Sequence, residues 1–271
     1  MQSFDRATQQ YFRLLEALDQ AVIATDAAGA IIYWSAAAEK LYGWPAEDVL
    51  GRDVLTVTPS DISREKGSEI MRLLRNGEAW SGEFSVRARR NKTFVASVTD
   101  VPLLSADGSI SGVIGVSGRS QIATGARALL KRFANACEKV WPRQVIFAET
   151  VPRGARLVAA EPHLIQLLAI LLLRYAEALD EGAVVEFKAG TAEDSPFAAF
   201  GLINSGVAAL YLRLDRREER ATYSVLRNVR DPVRPRQYAS ALVRMVGGLL
   251  IEGAAPERTN ATHLFLPLRK S

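Results

Sequence analysis

The spacing of apolar positions changes several times along the first 120 residues, and each change marks an element. Tyr11, Phe12, Leu15 and Leu18 recur at helical spacing, which predicts a helix over 8–20 with Thr8 as its cap. Residues 21–26 and 30–34 then alternate loosely on either side of Ala27-Ala28-Gly29, the pattern of a hairpin. Ser35 stands where it caps a short helix stopped by Gly43. A further helical turn stops at Gly51, and Ser60 or Asp61 opens a longer helix closed by Asn76-Gly77. Three strand patterns follow at 79–88, 93–104 and 109–119, the last two joined by a turn containing Asp107-Gly108. Two strands, several helices and three strands predict an antiparallel sheet with helices on one face.

The second half is organised around Glu161 to Gly182, read as one helix. Pro162 suits the first helical position, where its missing N–H loses no partner, and Gly182 suits a left-handed stop. Leu164, Ile165, Leu167, Leu168, Ile170, Leu171, Leu172 and Leu173 wrap almost the whole circumference, so the helix belongs in an interior. Gln166 and Arg174 interrupt the run well short of the roughly 18 apolar residues a membrane span needs. A linking helix is predicted over 122–140, with Leu129, Leu130, Phe133, Cys137 and Val140 on one broad side. Strands are expected at 144–150, 156–160, 183–189, 197–203, 221–229, 249–253 and 262–268. A helix is expected at 237–246, ended by Gly247-Gly248.

Composition narrows the chemistry. A length of 271 residues suggests two domains, and about half of them are apolar, as in ordinary globular proteins. The opening residues carry no basic segment followed by an apolar one, so no signal peptide is visible, and no membrane association is expected. The single cysteine, Cys137, excludes an intrachain disulfide and a multi-cysteine zinc site and fits a reducing cytoplasm. Neither Gly-x-x-x-x-Gly-Lys-Ser/Thr nor a well-placed Gly-x-Gly-x-x-Gly occurs, so the common phosphate loops are absent. The formal charge of +4 is modest. Arginines crowd 213–236, but acids interleave them and stacking aromatics are lacking, so an ordinary solvated face is preferred over a nucleic-acid surface.

The order of elements over 10–119, with A-V-I-A-T-D-A-A-G-A-I-I-Y-W-S-A-A-A-E-K-L-Y-G-W, E-D-V-L-G-R and G-E-A-W-S-G-E-F, resembles a PAS sensor domain. The resemblance implies an antiparallel five-stranded sheet with helices around a small cavity that senses a bound molecule or a partner. Trp34, Tyr42, Trp44 and Trp80 are the candidate cavity residues. The tryptophans either line a pocket for a planar ligand or serve as core and rim residues, and the second reading is preferred. A cysteinyl-flavin photosensor needs a cysteine here and a haem sensor usually a histidine. This half has neither, so neither cofactor is expected. A non-covalent flavin, a small acid or an empty cavity all stay open.

The second half carries another resemblance. R-L-V-A-A-E-P-H-L-I-Q-L-L and the closing A-L-V-R-M-V-G-G-L-L-I-E-G through L-F-L-P-L are similar to the ATP-binding domain of sensor histidine kinases, an α/β sandwich. The family's two helix asparagines fall at Ile170 and Arg174. Magnesium requires oxygen donors, which neither offers. Asn204-Ser205-Gly206 stands where the family holds adenine, but the second glycine is missing. Gln237 to Leu242 replaces the glycine-rich phosphate segment. Arg174, Glu177, Asn204 and Gly206 are therefore the candidate remnants of a nucleotide site. Arg174 could hold a phosphate without metal, and Glu177 is either a base or metal ligand or a solvent-facing carboxylate. His163 and His263 lack the acidic neighbour of a phospho-accepting histidine and read as structural.

The fold class expected is α+β: a PAS domain at 1–120, a linking or dimerising helix at 121–143 and a degenerate kinase-like domain at 144–271. The leading functional expectation is a cytoplasmic sensor that relays its signal by protein contact, as a homodimer, to a response regulator or other signalling protein. Use of ATP and magnesium is not expected. A divergent active kinase using Arg174 and Glu177, and a transcription-linked adaptor, are the alternatives.

Overall fold

The computed structural model describes residues 6–60, 63–105, 109–119, 125–173, 175, 179, 182–195, 209–217, 239, 242–244, 246–252 and 261–268. These fall into two compact units, one of residues up to 119 and the other of residues from 125 onward.

The first unit begins with α1 (Arg6–Ala17), β1 (Ala21–Asp26), β2 (Ile31–Trp34), α2 (Ala36–Tyr42), α3 (Ala46–Val49), α4 (Val54–Val57) and α5 (Arg64–Arg75). It ends with β3 (Trp80–Ala88), β4 (Lys92–Leu104) and β5 (Ile110–Arg119). The five strands pair in the order β2-β1-β5-β4-β3, every pair antiparallel. Strand β5, last in the chain, therefore lies between β1 and β4 and brings residues near both ends of the unit together. At its crowded start Gly112 faces Asp26, and a Cβ there would lie 2.0 Å from the Thr25 carbonyl oxygen, so no side chain fits.

Local signals explain the helical face. The Ser35 hydroxyl accepts from the Ala38 N–H at 3.1 Å and the Val22 N–H at 2.9 Å, capping α2 and tying it to β1. Gly43 closes α2 at φ 74°. Two expectations move. Helix α1 begins at Arg6, which puts Thr8 inside it rather than at its cap. Helix α5 begins at Arg64, because the Ser60 and Ser63 hydroxyls bond each other and Ser85 across on β3 instead of capping a helix. Tyr42, Leu74, Val49, Val57, Phe84 and Val86 pack in the core between helices and sheet.

The second unit contains α6 (Ala126–Val140), β6 (Val145–Glu149), α7 (Glu161–Leu173), β7 (Val184–Thr191), β8 (Ala209–Arg217), β9 (Leu249–Glu252) and β10 (Thr262–Pro267). Its sheet runs β6-β7-β8-β10-β9, with β6 and β7 parallel and the other pairs antiparallel. Every residue of α7 from Pro162 to Leu173 is buried, as its all-round apolar sequence demands. Phe133 of α6 packs on Phe147 and Phe187 of the sheet, with ring centroids 6.1 and 5.9 Å away. His263 is buried with Nδ1 2.8 Å from the Tyr211 hydroxyl.

Two strand readings are corrected here. Arg156 and Leu157 make only isolated bridges, to Gly125 and Leu268, so 156–160 is not a strand. Strand β8 was hidden: residues 209–212 and Leu214 are buried on both faces, which erases the alternation that marks a strand. The arginine-rich stretch thus starts inside the sheet, where Arg213 pairs with Asp215 at 2.7 Å. The strands expected at 197–203 and 221–229 lie outside the described residues, as does most of the helix expected at 237–246.

Candidate functional site

The first unit holds a partly open cavity between its sheet and helices α4 and α5. The space open to the centres of water-sized molecules is about 70 Å³, room for roughly five waters. Strand periodicity decides its wall. Ile23 and Thr25 on β1, Val113, Gly115 and Ser117 on β5, Val98 and Asp100 on β4, and Phe84 and Val86 on β3 all point to one face. Leu55, Ile70 and Met71 close the opposite side. Gly67 lets α5 come close, since a Cβ there would meet Leu55 Cδ2 at 3.1 Å.

Most of this wall is apolar, so its polar members stand out. Among the described residues Asp100 is the only carboxylate in it, and no lysine, arginine or histidine joins it. Its register partner on β5 is Gly115, and a Cβ there would lie 2.6 Å from Asp100 Oδ1; the missing side chain makes room for the carboxylate. Among the described residues the carboxylate has neither a side-chain hydrogen bond nor an ion pair, and burial raises its pKa from 3.8 to about 7. The Tyr42 hydroxyl lies 2.9 Å from Ser117 Oγ, and burial foremost pushes that phenol up, with the nearby Asp100 charge adding to the effect. Thr25 Oγ1 is buried without a hydrogen-bond partner among the described residues.

Of the four residues expected at the cavity, Tyr42 is in the wall and Trp34, Trp44 and Trp80 are not. Trp34 is buried, donates its indole N–H to the Trp44 carbonyl at 3.0 Å and packs on Tyr42 at 5.4 Å. The Trp44 ring carries the guanidinium groups of Arg52 and Arg89 over it, 5.6 and 5.3 Å from its centroid. Trp80 sits edge-on to Phe84 and beneath the Lys66 ammonium. Asp100 and Thr25 went unnoticed in the sequence. The signal was there: in Ala96, Val98, Asp100 an acid occupies an inward position of an alternating strand.

The candidate nucleotide remnants Arg174, Glu177, Asn204 and Gly206 lie outside the described residues. Ile170, at the position of the first helix asparagine of the kinase resemblance, is fully buried. Among the described residues no cluster of three or more histidine, cysteine or acidic side chains is placed to hold a metal ion.

The strand order agrees with the comparison to known families, in which residues 9–117 match the PAS fold. This segment is a PAS domain. A PAS domain of a protein from Colwellia psychrerythraea is 23% identical, with a TM-score of 0.38, over 41% of this chain and 95% of that one. A fungal LOV domain photoreceptor is 18% identical, with a TM-score of 0.33, over 37% of this chain and 74% of that one. No curated protein matches the chain. The PAS domain is consistent with a role as a signalling sensor. No helix among the described residues is long and apolar enough to cross a membrane.

Proposed function

We propose that the protein is a cytoplasmic sensor of the histidine-kinase type. Its PAS domain detects a small molecule, and the second unit passes the signal on by protein contact rather than by phosphotransfer. The observation that carries the sensing half is the PAS cavity, a space lined by the sheet, α4 and α5 with an uncompensated carboxylate in its wall. Occupying such a space biases the protein toward whichever state binds the occupant better, and only that difference in affinity transmits anything.

The relay half draws on the chemistry of α7. Ile170 is apolar and fully buried, and residue 174, four positions on in the sequence, is an arginine; neither side chain offers the oxygen donors a magnesium ion needs. His163 and His263 are both buried, which withdraws them from an incoming phosphoryl group. The second unit then acts as a surface, in a homodimer, for a response regulator or another signalling protein. Calorimetric titration of the purified chain with magnesium-ATP, alongside incubation with γ-labelled ATP, tests this. The expected results are no magnesium-dependent heat and no label on the chain. Micromolar magnesium-dependent binding, or label lost on replacing His163 or His263, overturns the contact relay.

A further inference from the structure

We propose that the PAS cavity takes a small organic ammonium ion, its charged nitrogen against the Asp100 carboxylate, its short apolar body among Leu55, Met71 and Phe84, and the Thr25 hydroxyl as a second anchor. The assignment rests on the reading of this domain as a small-molecule sensor and adds the chemical class of the molecule.

Three features of the wall lead to it. Among the described residues the cavity has one acid and no base, so an anion entering it finds no counter-charge and meets a like charge. Asp100 has no ion-pair or side-chain hydrogen-bond partner among the described residues, although the Gly115 gap holds its carboxylate against the cavity. Asp100 is only partly withdrawn from solvent. A ligand filling the cavity would strip the rest of its water, and a cation that arrives with its own apolar body supplies the missing partner as it does so. Burial without compensation accounts for the elevated pKa of this group, and a bound ammonium would bring it back down. Independently, Thr25 Oγ1 is buried at 3% exposure with no partner among the described residues, which marks a second polar position awaiting a ligand. The remaining polar pair, Tyr42 and Ser117, satisfies itself at 2.9 Å and makes no such demand.

Size sets the rest. A volume of about 70 Å³ is far below the roughly 300 Å³ at which drug-sized pockets begin, so the ligand has only a few heavy atoms. Isobutylammonium matches that description, with isobutyrate and isobutanol as an anion and a neutral molecule of nearly the same shape. The three are titrated into the full chain at pH 8 and followed by the ring and methyl NMR signals of Phe84 and Met71. Isobutylammonium is expected to shift these signals saturably, with binding at least tenfold weaker in D100N and several-fold weaker in T25V. Both variants keep the side-chain shape, and thermal melts establish that they remain folded. Equal or tighter binding of isobutyrate or isobutanol, an affinity unchanged in D100N, or no binding of the ammonium ion overturns the assignment while leaving the sensor reading standing. Saturable Asp100-dependent binding that leaves capture of a signalling partner by the second unit unaltered supports the ligand class and removes the sensor reading instead.

Discussion

Asp100→Asn changes one charge in the PAS cavity and almost nothing of its shape, which makes it a direct test of how the wall is held. The carboxyl titrates at 3.8 when free and at about 7 in the fold, because burial disfavours its ionised form. A raised folded-state value means that the protonated acid is the form the fold accommodates. The favourable contribution is complete below pH 3.8 and is lost as pH rises toward 7. Each tenfold change in the acid's ionisation constant corresponds to about 1.4 kcal/mol. The rise from 3.8 to about 7 therefore sets an upper bound of about 4 kcal/mol above pH 7. Between pH 5 and pH 8 the wild type should lose about 2 to 3 kcal/mol relative to D100N, since the amide has no charge to bury. Other titrating groups cancel in this difference, and any fixed cost of the Asn amide does not vary with pH. Urea unfolding at a series of pH values reads it, followed by tryptophan fluorescence, since Trp34, Trp44 and Trp80 lie in the first unit. A stability difference that stays flat from pH 5 to pH 8 would refute the account: Asp100 would then be solvated or paired, and the cavity would hold no uncompensated carboxylate.

Other substitutions probe the frame around the site. Gly112→Ala pushes a Cβ to 2.0 Å from the Thr25 carbonyl oxygen and must part β1 from β5; a loss of about 3 kcal/mol or more is expected in the same urea assay. Ser35→Ala removes the acceptor for two backbone N–H groups and should cost about 2 kcal/mol, with faster hydrogen exchange at Val22 and Ala38. Phe187→Ala opens a hole beneath Phe133 and Phe147 and should cost the second unit about 3 to 5 kcal/mol, read through Trp141 fluorescence in a chain whose other tryptophans are replaced by Phe.

Much of the first unit was legible from residue order alone, because its signals are local. Ser35 and Gly43 bound α2 as read, and the hairpin of β1 and β2 turns at Gly29 with φ 98°. The all-apolar α7 could be placed in an interior because no surface element tolerates such a circumference. The helix start expected at Ser60 or Asp61 falls at Arg64 for a reason equally physical: a serine hydroxyl caps only if no better partner competes, and Ser85 on a distant strand takes Ser60 and Ser63.

The chain by itself settled where turns fall, which helix is enclosed and that residues 10–119 follow the order of a PAS domain. Only the tertiary structure decided what faces the cavity. The tryptophans could be read either as pocket lining or, preferably, as core and rim residues, and packing sets Trp34 against the Trp44 carbonyl and Trp44 under two arginines, outside the cavity lining. Asp100 looks like any strand aspartate until β5 threads between β1 and β4 and sets Gly115 beside it. Burial and counter-charge are sums over neighbours distant in sequence, so a residue's role in a cavity is written by the partners the fold brings to it.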